Sequence, residues 1–239
     1  MPWPAISLRC RSSRLAFAAR CCRRAAMSRF SILLAGHIAP TPALIAAVEG
    51  TRVIAADDGL RHAAELQVTP ELWVGDFDSS PPRPAIELTS LPREPYPRDK
   101  AMTDGEIAIE AALTRGATGL LLVGALSGPR SDHAFAHLIL ALRYAARGVD
   151  VELFDGIERA WPLGPDRRAF DLAPGMQFSI LKFSDLSGLT ISGAKWPLDA
   201  VDLPFHSILT QSNEALGPIA VTVRQGTALL VAQADPKVR

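Results

Sequence analysis

The sequence predicts an α/β fold. A parallel-sheet domain over residues 27–160 is followed by a smaller all-β sandwich domain over residues 161–239. Two observations carry this. Up to about residue 154, short all-apolar runs alternate with helix-like stretches at close spacing, the pattern of strands covered by helices. After Trp161 the helical period stops, and short β-rich runs alternate with Gly, Pro and Asp turns.

The first strand is read over Phe30–Ala35, ending at Gly36. Thr41 and Pro42 then open a helix to about Val48, with Thr as cap and Pro at the first helical position. Arg52–Ala56 is the second strand, Leu60–Leu66 a helix and Leu72–Val74 the third strand. Residues 76–100 break the rhythm with six prolines and read as loop, with one short strand near Ile86–Leu88. Thr103 starts a helix to about Arg115, and Gly119–Val123 is a further strand. Ser131 begins a long helix with Phe135, Leu138, Ile139, Leu142 and Ala146 on its apolar face. Gly148 ends that helix, and Val149–Phe154 is the next strand. The alternation makes this half a Rossmann-like arrangement. In the second half, strands are expected at Met176–Phe183, Leu189–Ile191, Ser207–Leu209, Ala220–Arg224 and Ala228–Ala232.

The composition excludes several classes. Hydrophobic residues make up 48% of the 239, and no apolar run approaches the roughly 18–20 residues that span a bilayer. No membrane association is expected, and a cytoplasmic protein is. The formal net charge of zero hides an asymmetry. Residues 1–26 are Arg-rich, free of Asp and Glu, and contain all three cysteines. They read either as a targeting leader or as an over-extended start ahead of Met27, disordered in both cases and outside the fold. The remaining body is mildly acidic, which argues against nucleic acid as a partner. It also lacks cysteine, which excludes a disulfide framework and thiolate metal sites.

Chemistry-bearing residues gather at the strand ends. Asp76 and Asp78 follow Gly75 at the end of the third strand and point the same way if the chain stays extended. Paired carboxylates repel unless a cation lies between them, and hard oxygen donors of this kind suit Mg²⁺. A solvated turn is the competing reading of the pair. Asp57-Asp58-Gly59 ends the second strand and would share the same sheet edge, although Asp-Gly is also a common turn. Thr103 and Glu106 have capping-box spacing, and the helix start they mark is suited to phosphate, with Asp104 and Lys100 beside it. Gly128, Arg130 and Asp132 lie in a strand-to-helix loop that lacks the Gly-Lys-Ser/Thr ending of a P-loop. His133 and His137 are one helical turn apart, but no Glu follows His133 as a zinc-protease motif requires. In the β-rich half, Trp196 beside Lys195 and the run Gln211-Ser212-Asn213-Glu214 read equally as core and turn.

Taken together and in order, these motifs resemble the thiamine pyrophosphokinase (thiamine diphosphokinase) family. The matching stretches are Ala56–Gly59, Gly75–Ser79, Lys100 with Thr103, Asp104 and Glu106, and Gly128 with Arg130, Asp132 and His133. In the second half they are Gly193–Leu198, Ser212–Glu214 and Gly226–Val231. The resemblance implies transfer of pyrophosphate from ATP to the hydroxyl of thiamine, with Mg²⁺ held by Asp76, Asp78 and Asp104. It implies phosphate contacts from Asp57, Lys100, Thr103, Gly128 and Arg130, and catalytic roles for Asp104, Arg130 and Asp132. Asp132 would orient the thiamine hydroxyl or accept its proton. Thiamine would lie near Trp196, Ser212 and Asn213, between the two domains of a homodimer. Two positions depart from the family pattern: Ala101 stands where an acid is common, and Asp58 where a small residue is usual. Ala101 motivates one rival expectation, a catalytically weak thiamine or nucleotide sensor; a second rival is a metal-dependent phosphohydrolase that uses the same acid cluster with water as the nucleophile.

Overall fold

The computed structural model describes residues 28–76, 91–95 and 102–234. The leader, Asp78, Lys100, Ala101 and the expected strand near residues 86–88 lie outside them. The architecture is mixed α/β, with a large sheet and few helices.

β1 (Arg29–Leu33), β2 (Arg52–Ala56), β3 (Leu72–Gly75) and β5 (Gly119–Val123) form as read, within one or two residues. With β4 (Arg93–Pro95) and β6 (Asp150–Phe154) they build a parallel sheet in the order β4-β3-β2-β1-β5-β6. The inner strands β1, β2, β3 and β5 are nearly all apolar because both of their faces are covered. Successive residues alternate sides. On β5, Leu120 and Leu122 pack on one face with Ile107, Leu140 and Tyr144, while Leu121 and Val123 pack on the other with Leu44, Leu60 and Leu66. Each such leucine, fully buried, contributes about 1.5–3 kcal/mol.

Three helices begin as expected. α1 (Pro42–Val48) is capped by Thr41, which accepts from the Leu44 N–H, with Pro in the first turn. α3 (Asp104–Thr114) is capped by Thr103, which accepts from the Glu106 N–H at 3.2 Å. α4 (Ser131–Ala145) ends just before Gly148, whose positive φ of 87° suits glycine.

Other expectations need correction. The segment read as a helix over 60–66 is split into a 3-10 turn (Asp57–Arg61) and a short α2 (His62–Glu65). The buried residues of α4 are His137, Leu140, Ala141 and Tyr144, whereas Phe135 is 58% exposed. Phe135 instead stacks on Phe183, 6.0 Å between ring centres, and Ile139 is also exposed, while Leu138 and Leu142 of the same stripe do pack against the core. The run Ser207–Leu209 is a turn region, not a strand, with Ile208 80% exposed.

The β-rich half consists of β7 (Glu158–Leu163), β8 (Arg168–Phe170), β9 (Gln177–Lys182), β10 (Leu186–Ala194), β11 (Leu198–Leu203), β12 (Asn213–Gln225) and β13 (Ala228–Gln233). β7, β8 and β11 were not anticipated. The change of texture near residue 160 falls inside β7, which pairs antiparallel with β6 on one side and β13 on the other. β13 is a wall common to two cores. Leu229 packs with the helix-covered core, while Ala228, Leu230 and Ala232 pack with Ile180, Leu189 and Val221 in the β-rich core. β12 passes from β9, through Asn213 and Glu214, to β10 and β8.

Candidate active site

Strand order reverses beside β1: β2, β3 and β4 lie to one side of it, β5 and β6 to the other. In an open parallel sheet the crevice beyond the carboxyl ends at such a point is where ligands bind. A cavity of about 470 Å³ opens there, within the size range of small-molecule sites. It is lined by the segments after β1, β2, β3 and β5 and by the start of α3.

Glycines permit the close approach of these segments. A Cβ on Gly36 would meet the carbonyl oxygens of Ser127 at 2.1 Å and Gly124 at 2.2 Å, so the chain after β1 lies directly on the loop after β5. The Gly36 N–H donates to Gly124 O, and the His37 N–H to Ser127 O, both at 3.1 Å. Two buried histidines clamp the same loops. His62 Nε2 is 2.9 Å from Gly36 O, and His137 Nδ1 is 3.3 Å from Ala125 O. Burial holds both imidazoles below their ordinary pKa. His133 packs edge-on against His137, ring centres 6.4 Å apart.

The acids come next. Asp57 has φ 44°, a left-handed conformation that Asp tolerates better than most residues. The Trp73 indole N–H donates to the Asp57 carbonyl at 2.9 Å, which fixes that turn to β3. Asp57, Asp76, Thr103, Asp104, Gly128 and Arg130 all line the one cavity. Asp78 and Lys100 lie outside the described residues. Among the described residues, no three His, Cys, Asp or Glu side chains are grouped closely enough to form a ready metal centre.

Asp132 sits in the first turn of α4 and is gripped by Arg130, with Nη2 to Oδ2 at 2.6 Å and Nε to Oδ1 at 3.2 Å. The guanidinium hydrogen bonds hold the Asp132 carboxyl at about 2, and the carboxylate in turn raises Arg130. Asp58 also has an internal partner, Arg61, which reaches on to the carbonyls of Ala35 and Gly36. Sequence reasoning passed over Arg61, His62 and the contact role of Gly36. The spacing of Asp58 and Arg61 was the available signal.

Trp196, Ser212 and Asn213 form a second group, none of which lines the acid cavity. Asn213 is buried and brackets residue 196: its Nδ2 donates to Trp196 O at 2.8 Å, and its Oδ1 accepts from the Trp196 N–H at 3.2 Å. The Trp196 ring is left 55% exposed, with Lys195 Nζ 4.9 Å from its centre. Ser212, at φ 57°, is tied through its N–H to Ser179 Oγ.

The sequence and the fold both match known proteins. The family described as "Thiamin pyrophosphokinase, catalytic domain" matches residues 47–153. "Thiamin pyrophosphokinase, vitamin B1 binding domain" matches residues 170–228. Together they cover more than half of the chain. A thiamine pyrophosphokinase of Bacillus subtilis is 26% identical over 172 residues, spanning 70% of this chain and 80% of that protein. Solved structures share the fold. Thiamine pyrophosphokinase from Bacillus subtilis superposes with a TM-score of 0.77 at 22% identity, covering 87% of this chain and 99% of that one. The Geobacillus thermodenitrificans protein gives 0.73 at 26% identity, covering 88% and 100%. The Candida albicans protein gives 0.69 at 14%, covering 87% and 89%.

Proposed function

The chain belongs to the thiamin pyrophosphokinase family, and from that premise we infer that it transfers pyrophosphate from ATP to the hydroxyl of thiamine, releasing AMP. The observation that carries the assignment to this site is the convergence of Asp57, Asp76, Thr103, Asp104, Gly128 and Arg130 on one cavity at the strand-order reversal. We read the helix-covered half as the nucleotide-binding half and the β-rich half as a sandwich that receives thiamine.

In the transfer, the thiamine oxygen forms a bond to the β-phosphorus of ATP. The bond from that phosphorus to the oxygen bridging the α-phosphate breaks, and AMP leaves with that oxygen. The hydroxyl proton passes to solvent water as the new bond forms. Such chemistry depends on alignment and charge neutralisation more than on a strong base.

Thr103 and the first N–H groups of α3 offer donors to phosphate oxygens, and Arg130 offers a planar fork. Lys100 would add a further cation. Asp132 is too acidic to serve well as a base near neutrality, so its place is to hold Arg130 and orient the incoming hydroxyl. The chemistry of the donor set suits Mg²⁺: Asp76 and Asp104 bring hard oxygens to the cavity, Asp78 would add a third carboxylate, and Gly75 lets the end of β3 lie against Asp57. When bound, the ion neutralises polyphosphate charge.

The exposed Trp196 ring suits stacking on the cationic thiazolium of thiamine, with Asn213 holding the ring's backbone and Ser212 beside it. Since this group and the acid cavity are separate in one chain, a homodimer would complete the site. Exposed Phe205, Ile208, Leu209 and Leu216 lie in the same β-rich half and offer a surface for the second copy. No helix among the described residues is long and apolar enough to cross a membrane, and a cytoplasmic setting remains part of this reading.

The test is an assay of purified protein with ATP, Mg²⁺ and thiamine. Thiamine-dependent formation of AMP and thiamine diphosphate supports the reading. Binding without turnover identifies a sensor, and thiamine-independent phosphate release identifies a hydrolase.

A further inference from the structure

Arg61 lines the acid cavity but belongs to none of the motifs that carry the family resemblance. It ends the 3-10 turn after β2, and its guanidinium spans three partners. Nη1 meets the Asp58 carboxylate, while Nη2 donates to Ala35 O at 2.5 Å and Gly36 O at 3.2 Å. The two carbonyls lie just beyond β1 and fix where the guanidinium sits. The carboxylate balances its charge. A guanidinium carries five N–H donors, so this brace does not exhaust them. Arg61 enters from the β2 side of β1 and Arg130 from the β5 side, so the two forks flank the crevice where the strand order reverses.

We propose that Arg61 contacts the polyphosphate of the nucleotide, with Asp58 as its built-in counter-ion. This rests on reading the cavity as a pyrophosphate-transfer site. A polyphosphate carries more charge than one carboxylate and presents oxygens that match the guanidinium fork. It competes with Asp58 for Nη1 while the carbonyls of Ala35 and Gly36 keep the side chain in place. Asp58, at a position where the family pattern has a small residue, then serves to hold Arg61 when the cavity is empty. It remains as a like charge beside the bound phosphates and moderates their affinity.

This arrangement makes two opposite predictions, which a purely structural brace does not. The experiment is calorimetric titration of the full-length protein with inorganic tripolyphosphate in the presence of Mg²⁺. Arg61→Gln is expected to weaken binding about tenfold to a hundredfold, and to raise KM for ATP while leaving KM for thiamine unchanged. Asp58→Asn keeps the carbonyl brace and is expected to tighten tripolyphosphate about threefold. Wild-type affinity in Arg61→Gln overturns the proposal. So does unchanged or weaker affinity in Asp58→Asn, the result for an acid that holds metal or for a brace that only supports the fold; that variant decides the matter even if Arg61→Gln does not fold. Wild-type protein that binds tripolyphosphate yet makes no thiamine diphosphate refutes the assigned reaction and leaves this contact standing. Wild-type protein that binds no tripolyphosphate overturns both.

Discussion

Gly75 lies against Asp57: a Cβ at position 75 would stand 3.2 Å from both Cα and Cβ of Asp57. The ends of β2 and β3 are thereby pressed together, and Asp57 and Asp76 open onto one cavity. Gly75 also has φ 155°, which a residue with a side chain rarely adopts. Gly75→Ala is therefore expected to push the Asp57 turn away and lower kcat/KM by about tenfold to a hundredfold, while far-ultraviolet dichroism stays that of the wild type. Wild-type kcat/KM in this variant would remove the contact from the account.

Gly36 is a stricter case. The atoms that an added methyl would strike, Ser127 O and Gly124 O, are backbone, so the loop after β5 must move as a whole. Gly36→Ala is expected to cost about 1–3 kcal/mol of stability, read as a lower urea midpoint at unchanged slope.

Acid should loosen the same loops. His62 and His137 have pKa values pressed below the ordinary value, with burial the largest cause for each. Above about pH 6.5 they are neutral in both the folded and unfolded chains, and their contribution is complete. As the pH falls below that value the unfolded chain takes up protons that the folded chain refuses, so stability declines until the folded pKa values are passed. Unfolding free energy measured from pH 7.5 to pH 5 should fall, and the double variant His62→Gln with His137→Gln should flatten that slope.

Asp132 gives the contrasting case. Its carboxyl is held at about 2 by Arg130, so it stays ionised throughout the usable pH range. Asp132→Asn should therefore lower turnover without moving the acid limb of a rate profile taken between pH 5 and pH 7. A limb that vanishes in the variant would make Asp132 the titrating base.

Legibility in the sequence followed the range of the forces. β5 reads correctly because all five residues from Gly119 to Val123 are buried between two helix layers, and α1 and α3 because Thr41 and Thr103 cap them locally. β4 was hidden: it has three residues and ends on Pro95, tolerated because the strand lies at the sheet edge. The face of α4 is only partly legible because the helix is apolar on more than one side: Leu138 and Leu142 pack against the core, whereas the contact that holds Phe135 comes from Phe183, far along the chain. The site divides the same way. The strand-end acids announced themselves by type and place. Arg61 did not, since its anchors are carbonyls of Ala35 and Gly36, in the segment that follows another strand.

The most direct test of the central claim, that the sheet-edge acids carry pyrophosphate transfer, is the turnover of Asp76→Asn. AMP and thiamine diphosphate would be followed together, with ATP, Mg²⁺ and thiamine saturating. The account predicts that turnover falls by about a hundredfold or more while the thermal midpoint stays within a few degrees of the wild type. Retained turnover in a folded Asp76→Asn protein would contradict it.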